Sequence, residues 1–442
     1  MMKTQFTLVV VLFIMCMSCA NDIKSSLESQ LRKAIVASSI TGNIDHYVMP
    51  DSRDYKALPN QDSNNPITRE KVELGQQLFF ETGLAQNSLR PESYETYSCS
   101  SCHVPNKGFL PGRMQGIADG GQGFGDNGSF RTLMPSYQES EIDAQGNRPL
   151  TVMNVTFMTN TLWSGTFGAN DQNVDTEANW TGLAEINNTG YVGLEAQNIE
   201  GLHLHRMAIN DKVLYDFGYA DMFDEAFPEI NKEERYSPVT ASFALSAYLR
   251  TILTNQSPFQ DFLKGDNNAM TINQKLGGLV FFGKAECYKC HNSPALGSTK
   301  FYALGTPDMH EIGGLNTSAD DPRLLGRASF TKDDSDNYKF KVPQLYNLKD
   351  YATFFHGSSK NEIEEVVDFK INAKSQNTNV PDELMPLTRL DLTKKERNDL
   401  IDFLTYALYD YDMERYMPNS VLSGYCFPNN DSKSKEDMGC KN

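Results

Sequence analysis

Two pentapeptides of one design interrupt the chain: Cys99-Ser100-Ser101-Cys102-His103 and Cys287-Tyr288-Lys289-Cys290-His291. Two cysteines three positions apart, with a histidine directly behind the second, bring two sulfurs and an imidazole to one side of a single turn. The surrounding chain has to fold around whatever those groups hold. A segment of common design precedes each motif. Residues 68–80 (TREKVELGQQLFF) and 271–282 (TINQKLGGLVFF) are apolar on one helical face, and in both a Lys is followed by a Gly five residues before the second Phe. A helix-then-motif unit that occurs twice points to duplicated domains. Strand-like alternation is sparse elsewhere, so the chain reads as mostly α.

In an exported chain, Cys-x-x-Cys-His is the attachment signal for a c-type haem. Each thiol adds to one vinyl group of the porphyrin, and the adjacent His reaches the iron from the same side as a fixed proximal ligand. A redox-active Cys-x-x-Cys would need a βαβ setting, which is missing here. A four-cysteine zinc site would leave both trailing histidines unexplained. The reading is two covalently attached haems, one on Cys99, Cys102 and His103 and one on Cys287, Cys290 and His291.

Export is legible at the start of the chain. Lys3 supplies a positive n-region, residues 6–17 form an apolar run too short to cross a bilayer, and Ser18–Cys19 resembles a lipoprotein cleavage site with Cys19 as the lipid-bearing N-terminus. Cleavage after Ala20 is the alternative. Both routes lead to the periplasm or cell envelope, with a membrane tie only at that end. The formal charge of −17 argues against nucleic acid and favours a basic protein partner. Cys426 and Cys440 flank a polar tail, and an oxidising compartment makes a disulfide there the expected state.

The chain divides into a signal peptide (1–20), a lead-in (21–64), an N-terminal haem unit (65–260), a C-terminal haem unit (261–412) and a disulfide-closed tail (413–442). Helices are expected over 23–39, 238–253 and 392–408, with capping boxes at Thr271/Gln274 and Thr393/Glu396. Residues 123–128 (GFGDNG) match G-x-G-x-x-G but follow no strand, so they read as a flexible loop rather than a dinucleotide site.

Enzyme and carrier differ in the face of each iron opposite the proximal His. For the second haem, Met385 is the candidate distal ligand, since it lies just ahead of the terminal helix, and Met309 competes with it. For the first, no His follows His103 until the cluster His203, His205 and Arg206. Either His is a candidate sixth ligand or acid–base group. The first haem is otherwise open.

These residues together resemble the bacterial di-haem cytochrome c peroxidase family, which also contains the enzyme that matures tryptophylquinone on a partner protein. The resemblance runs from about residue 65 to 408. It is carried by KVELGQQLFF, both haem motifs, RPLTVMN…LWSG (148–165), FKVPQLYN…FFHG (340–357) and the terminal LT-x-x-E-x-x-D-L-x-x-FL. It implies a peroxide-reacting haem on His103, a low-spin electron-receiving haem on His291 and an electron relay at Trp163. It also implies a calcium ion held with the help of Asn154, and a structural or haem-adjacent role for His356. The chain departs from the family in several places. The loop after the first motif lacks the His that many members carry there, the family's catalytic Glu falls at Arg206, and a nearby Pro becomes Gly201. The calcium-site positions near Tyr351 and Thr353 also differ.

The expectation is two cytochrome c-like haem domains packed across a domain junction. They would reduce hydrogen peroxide with electrons from a small cytochrome c or cupredoxin, with Trp163, His205 and Arg206 carrying the chemistry, in a monomer or a homodimer. A di-haem oxidase acting on a partner protein or organic substrate is one alternative, and a non-catalytic di-haem electron carrier is another.

Overall fold

The repeated glycine sets the architecture. In the computed structural model, which describes residues 26–440, the Arg69–Phe80 helix starts at Thr68, whose side chain accepts the Lys71 N–H. It crosses the Pro238–Thr251 helix so closely that a Cβ on Gly75 would stand 2.0 Å from the Ala244 carbonyl oxygen. The second half repeats the device. There the Ile272–Leu279 helix crosses the Lys394–Asp402 helix, and a Cβ on Gly277 would stand 1.9 Å from the Asp399 carbonyl oxygen. Only a residue without a side chain permits backbones to approach this far. Capping boxes at Thr271/Gln274 and Thr393/Glu396 fix the starts of the second pair.

The lysine of each repeat is buried and satisfied. Lys71 Nζ donates to Asn65 Oδ1 and the Pro66 carbonyl at 3.2 Å each, and Lys275 Nζ bonds Glu28 at 2.7 Å and the Asn267 carbonyl at 2.6 Å. Aromatic residues then fill each crossing: Phe79 meets Tyr248 at 5.5 Å, and Phe281 meets Phe403 at 5.5 Å. The fold is mostly helical with few strands. Among the described residues, strands are confined to two antiparallel pairs, Gly121–Gln122 with Thr132–Leu133 and Phe301–Ala303 with Lys339–Lys341. No helix among them is long and apolar enough to cross a membrane. The export segment, with Cys16, Cys19 and Ala20, lies outside the described residues.

The two ends of the chain pack on the opposite halves. Residues 26–38 are helical and lie on the second half, where Glu28 pairs with Lys275, Leu31 meets Gly278 and Arg32 donates to the Phe262 carbonyl at 2.8 Å. His46 Nε2 is 2.6 Å from the carbonyl of Asn292, the residue after the second motif. Residues 26–46 are therefore part of the second core, whereas Asn60 and Asp62 bond Thr156 and Val192 of the first half.

The tail runs the other way, onto the first motif. Ser98 Oγ and Ser101 Oγ donate to the Pro428 carbonyl at 3.0 and 2.9 Å, Asn429 bridges Tyr97, and the Asn430 N–H reaches the Thr96 carbonyl at 2.9 Å. A Cys426–Cys440 disulfide closes this tail around the Ser432–Met438 helix. The glycine-rich stretch at 123–128 is where the tail ends up. The N–H groups of Phe124 and Gly125 donate to Asp437 Oδ2 at 2.7 and 2.8 Å, and Gly123 donates to Asp431. Successive N–H groups of such a loop form an anion nest, and here the anion is the chain's own carboxylate. Substituting Cys440→Ser, or reducing the bond, should lower stability by about 3 kcal/mol, the loop-closure value for a loop of this length. Urea unfolding of the oxidised and reduced protein measures it, and coincident midpoints would mean that the tail is held by its other contacts alone.

Candidate functional site

Each motif folds as one turn of 3-10 helix. In the first, Cys99–Ser101 is bracketed by Ser98 and Ser101, whose side chains cap each other's backbone N–H, and the His103 N–H donates to the Cys99 carbonyl at 3.1 Å. In the second, Cys287–Lys289 forms the turn and the His291 N–H donates to the Cys287 carbonyl at 3.0 Å. The turn closes because its residues bond three and four positions back, which carries the histidine round to the side of the thiols.

The two imidazoles are held alike. His103 Nδ1 bonds the Phe109 carbonyl at 3.0 Å, and His291 Nδ1 bonds the Leu296 carbonyl at 2.8 Å. Both carbonyl-bearing residues adopt left-handed backbone, φ 53° at Phe109 and 49° at Leu296. Strain of about 1–3 kcal/mol per residue is typical there, and a functional site is where it persists. Burial pushes both histidines down to about 4, so each imidazole is neutral. With Nδ1–H donating to a carbonyl, Nε2 keeps its lone pair, as a metal ligand requires. The four thiols are unpaired, and burial pushes Cys99, Cys102 and Cys287 up to about 12, away from thiolate chemistry. Among the described residues no group of three or more His, Cys, Asp or Glu gathers into a metal site. That geometry removes the four-cysteine zinc alternative.

The second motif opens on a cavity of about 280 Å³. Cys287, Cys290 and His291 line it together with apolar residues such as Leu304, Leu387 and Leu404. Arg148 also lines it, 4% exposed, with Nη1 buried and without any hydrogen-bond partner. Its Nε donates to the Phe355 carbonyl at 2.9 Å, and burial pushes its pKa down to about 10. An apolar slot with two thiols, a neutral histidine and one unsatisfied guanidinium N–H fits a flat macrocycle bearing carboxylates. The residues present thus match a haem.

Trp163 stands between the halves. Its Nε1–H donates to the Arg148 carbonyl at 2.6 Å, and the Lys341 N–H bonds its own carbonyl at 2.9 Å. The Phe301–Ala303/Lys339–Lys341 ribbon thereby sets Phe340 edge-on to the indole at 6.4 Å. His356 meets the indole at 6.3 Å and stacks on Phe340 at 3.6 Å. Its Nε2 bonds the buried Asp308 at 2.8 Å. Trp163, Phe340 and His356 all line the second cavity.

On the side of the first motif, the Gly193–Leu204 helix ends at His205. His203 is exposed, whereas His205 is partly buried and Nδ1 bonds Asp143 Oδ2 at 2.7 Å. Burial opposes its charged form, but the charge and hydrogen bond of Asp143 outweigh burial and leave the pKa above the ordinary value. His205 lies near enough to His103 for its charge to disfavour protonation there. Arg206, in left-handed backbone at φ 55°, forms a short ion pair with Asp119. Asp119 is fully buried and also accepts the Tyr137 hydroxyl at 2.6 Å and the Leu89 N–H at 2.8 Å. The Asn87 N–H reaches the Arg206 carbonyl at 3.0 Å. Residues 81–98 thus hold the His205–Arg206 corner.

The structure separates the remaining candidates. Met385 is buried but does not line the second cavity, although Pro386, Leu387 and Thr388 do. Met309 is also buried outside that lining. Asn154 Oδ1 accepts the Thr254 N–H at 3.0 Å, so the oxygen that a calcium ion would need is engaged within the chain. Asp143 and Asp119 carried no sequence signal, because nothing in one chain marks which carboxylate will face which base, and Arg148 stood out only as the first residue of the RPLTVMN stretch.

The comparisons agree with this geometry. The family model described as di-haem cytochrome c peroxidase matches residues 69–268. The chain is 26% identical over 361 residues to the cytochrome-c peroxidase IdrP1 of Pseudomonas sp. strain SCT, covering 77% of this chain and 81% of that protein. It is 26% identical over 342 residues to the methylamine utilization protein MauG of Methylorubrum extorquens, at 77% and 78% coverage. It is 26% identical over 333 residues to the cytochrome c551 peroxidase of Pseudomonas aeruginosa, at 75% and 81%. The chain is thus similar to di-haem cytochrome c peroxidases and MauG over about three quarters of its length. Solved structures share the fold. A MauG-like protein associated with microbial copper homeostasis superposes with a TM-score of 0.56 at 24% identity, covering 83% of this chain and 95% of that one. The diheme peroxidase BthA of Burkholderia thailandensis does so with a TM-score of 0.55 at 15% identity, covering 83% and 91%. Similarity to di-haem proteins makes two haems the implied cofactors and a peroxidase-type oxidoreductase the implied class.

Proposed function

We propose that this protein reduces hydrogen peroxide to two waters with two protons and two electrons, the electrons coming from a small periplasmic cytochrome c or cupredoxin. The haems are attached through Cys99 and Cys102 and through Cys287 and Cys290. When bound, the haem on His103 supplies the iron that receives peroxide. Electrons enter at the His291 site and pass by Trp163 toward the His103 site. The protein works outside the cytoplasm, lipid-anchored at Cys19.

The observation that carries this reading is the His205–Asp143 pair beside His103. Asp143 accepts the Nδ1 proton and fixes the tautomer, so Nε2 takes a proton from the incoming peroxide and returns it to the departing oxygen. Arg206 spends one N–H donor on Asp119. Its others remain for charge that develops as the O–O bond breaks.

The test is a spectrum of the half-reduced protein before and after one equivalent of peroxide. A change confined to one haem, followed by turnover with a small reduced cytochrome, supports the peroxidase. A stable oxidised product that ignores the donor would move the reading to an oxidase of a partner or organic substrate, and two haems inert to peroxide would leave an electron carrier. Trp163→Phe should slow re-oxidation of the second haem by the first while leaving haem content unchanged, which stopped-flow spectra at the two Soret bands would resolve.

A further inference from the structure

The helix Ile363–Asn372 forms one wall of the second cavity. Its lining residues are Ile363, Val366, Val367, Lys370 and Ile371, the i, i+3, i+4, i+7, i+8 stripe of a single helix face. Four of the five are β-branched and apolar. Lys370 alone carries a polar atom into that stripe.

Of the other cavity side chains able to bind a metal, all but Tyr338 are already committed, Tyr302 through a hydrogen bond with Cys290. His356 is bonded to Asp308, Lys341 Nζ to the Asn160 carbonyl at 2.5 Å, Tyr351 to Gln344, and Lys289 to Glu286. Lys370 makes no hydrogen bond or ion pair with any described residue. Its Nζ lies 5.7 Å from the centre of the Phe355 ring. The nearest acid on its own helix, Asp368, is held by Arg397 at 2.5 and 2.8 Å. Lys370 lines the same cavity as Cys287, Cys290 and His291. Tyr338, the other such residue whose side chain has no partner, stands at the turn before the Lys339–Lys341 strand.

Resting on the haem reading of the second motif, we propose that Lys370 Nζ supplies the second axial ligand of the iron held by His291. The ammonium gives its proton to solvent, and the freed amine lone pair forms the bond to iron. Met385, outside the cavity lining, is core. An amine lacks the thioether's tendency to raise the potential, so this haem sits at a lower potential than a His/Met site.

The experiment uses the full-length holoprotein in its ferric state. Haem content comes first, and fewer than two haems per chain would sink both this assignment and the haem reading beneath it. With two haems present, electron paramagnetic resonance and near-infrared spectra should show a low-spin haem without the sulfur-to-iron charge-transfer band. Lys370→Ala should abolish that low-spin signal. Lys370→Met, which keeps the side-chain bulk if the alanine variant fails to fold, should introduce the sulfur band and raise the midpoint potential. Met385→Ala and Tyr338→Phe should leave the wild-type spectrum intact. Lys370 variants with unchanged spectra, or a low-spin signal lost in Met385→Ala or Tyr338→Phe, would overturn the assignment.

Discussion

His205→Ala should lower peroxide turnover by about 100- to 10,000-fold, the range for removing a positioned general acid–base group, while both haems stay attached. Asp143→Asn is the sharper variant, because it leaves the imidazole in place and removes the charge that raises its pKa. The sign follows from the role. As a base His205 must be neutral, so activity rises with pH as His205 loses its proton, and the raised pKa puts that limb above the ordinary histidine value of about 6.5. Without the Asp143 charge, burial and Arg206 both lower the pKa, so the acidic limb of the asparagine variant should move to lower pH. A profile that stays put in Asp143→Asn, or full activity in His205→Ala, would remove His205 from the proton path. His203→Ala is the control, since that exposed side chain should be dispensable.

Gly277→Ala should destabilise the second half by about 1–3 kcal/mol or more, the overpacking cost, and Gly75→Ala should do the same to the first. Each new methyl would land within about 2 Å of a carbonyl oxygen on the crossing helix, which cannot move without parting the two helices. In an open helix the same substitution contributes about 1 kcal/mol of stability. Gly201→Ala provides that comparison, because nothing lies within 4 Å of the position a Cβ would take in the Gly193–Leu204 helix. Thermal melts of the three variants should therefore differ in sign. If Gly75→Ala and Gly277→Ala melt like wild type, the close crossing is not what shapes these units.

Much of this was legible because it is local. The Cys-x-x-Cys-His spacing dictates a single turn, and the turn places thiols and imidazole together whatever surrounds them. The Lys and Gly repeated before each motif mark a helix crossing, since a buried Lys needs a partner and a close crossing needs a missing side chain. The capping boxes at Thr271 and Thr393 likewise involve only four consecutive residues. The choice between His203 and His205 was less accessible. The two residues are two apart on a helix end, and only the path of the chain decides which one meets Asp143.

The exchange of chain ends could not be read at all. Residues 21–64 looked like a lead-in and 413–442 like a closed tail, yet Glu28 completes the burial of Lys275 and Pro428 seats the serines around Cys99. The glycine-rich stretch at 123–128 looked like a loop with no partner, and its partner is Asp437, far along the chain. The sequence by itself determined how each motif turns and how each is introduced, because those features depend on neighbours within a few residues. The tertiary structure alone decided which carboxylate tunes His205, which of the second cavity's lysines is left without a partner and which end of the chain covers which half. Such pairings depend on long-range burial, where a charge or carbonyl must find its partner across the fold, and local patterning carries no record of that choice.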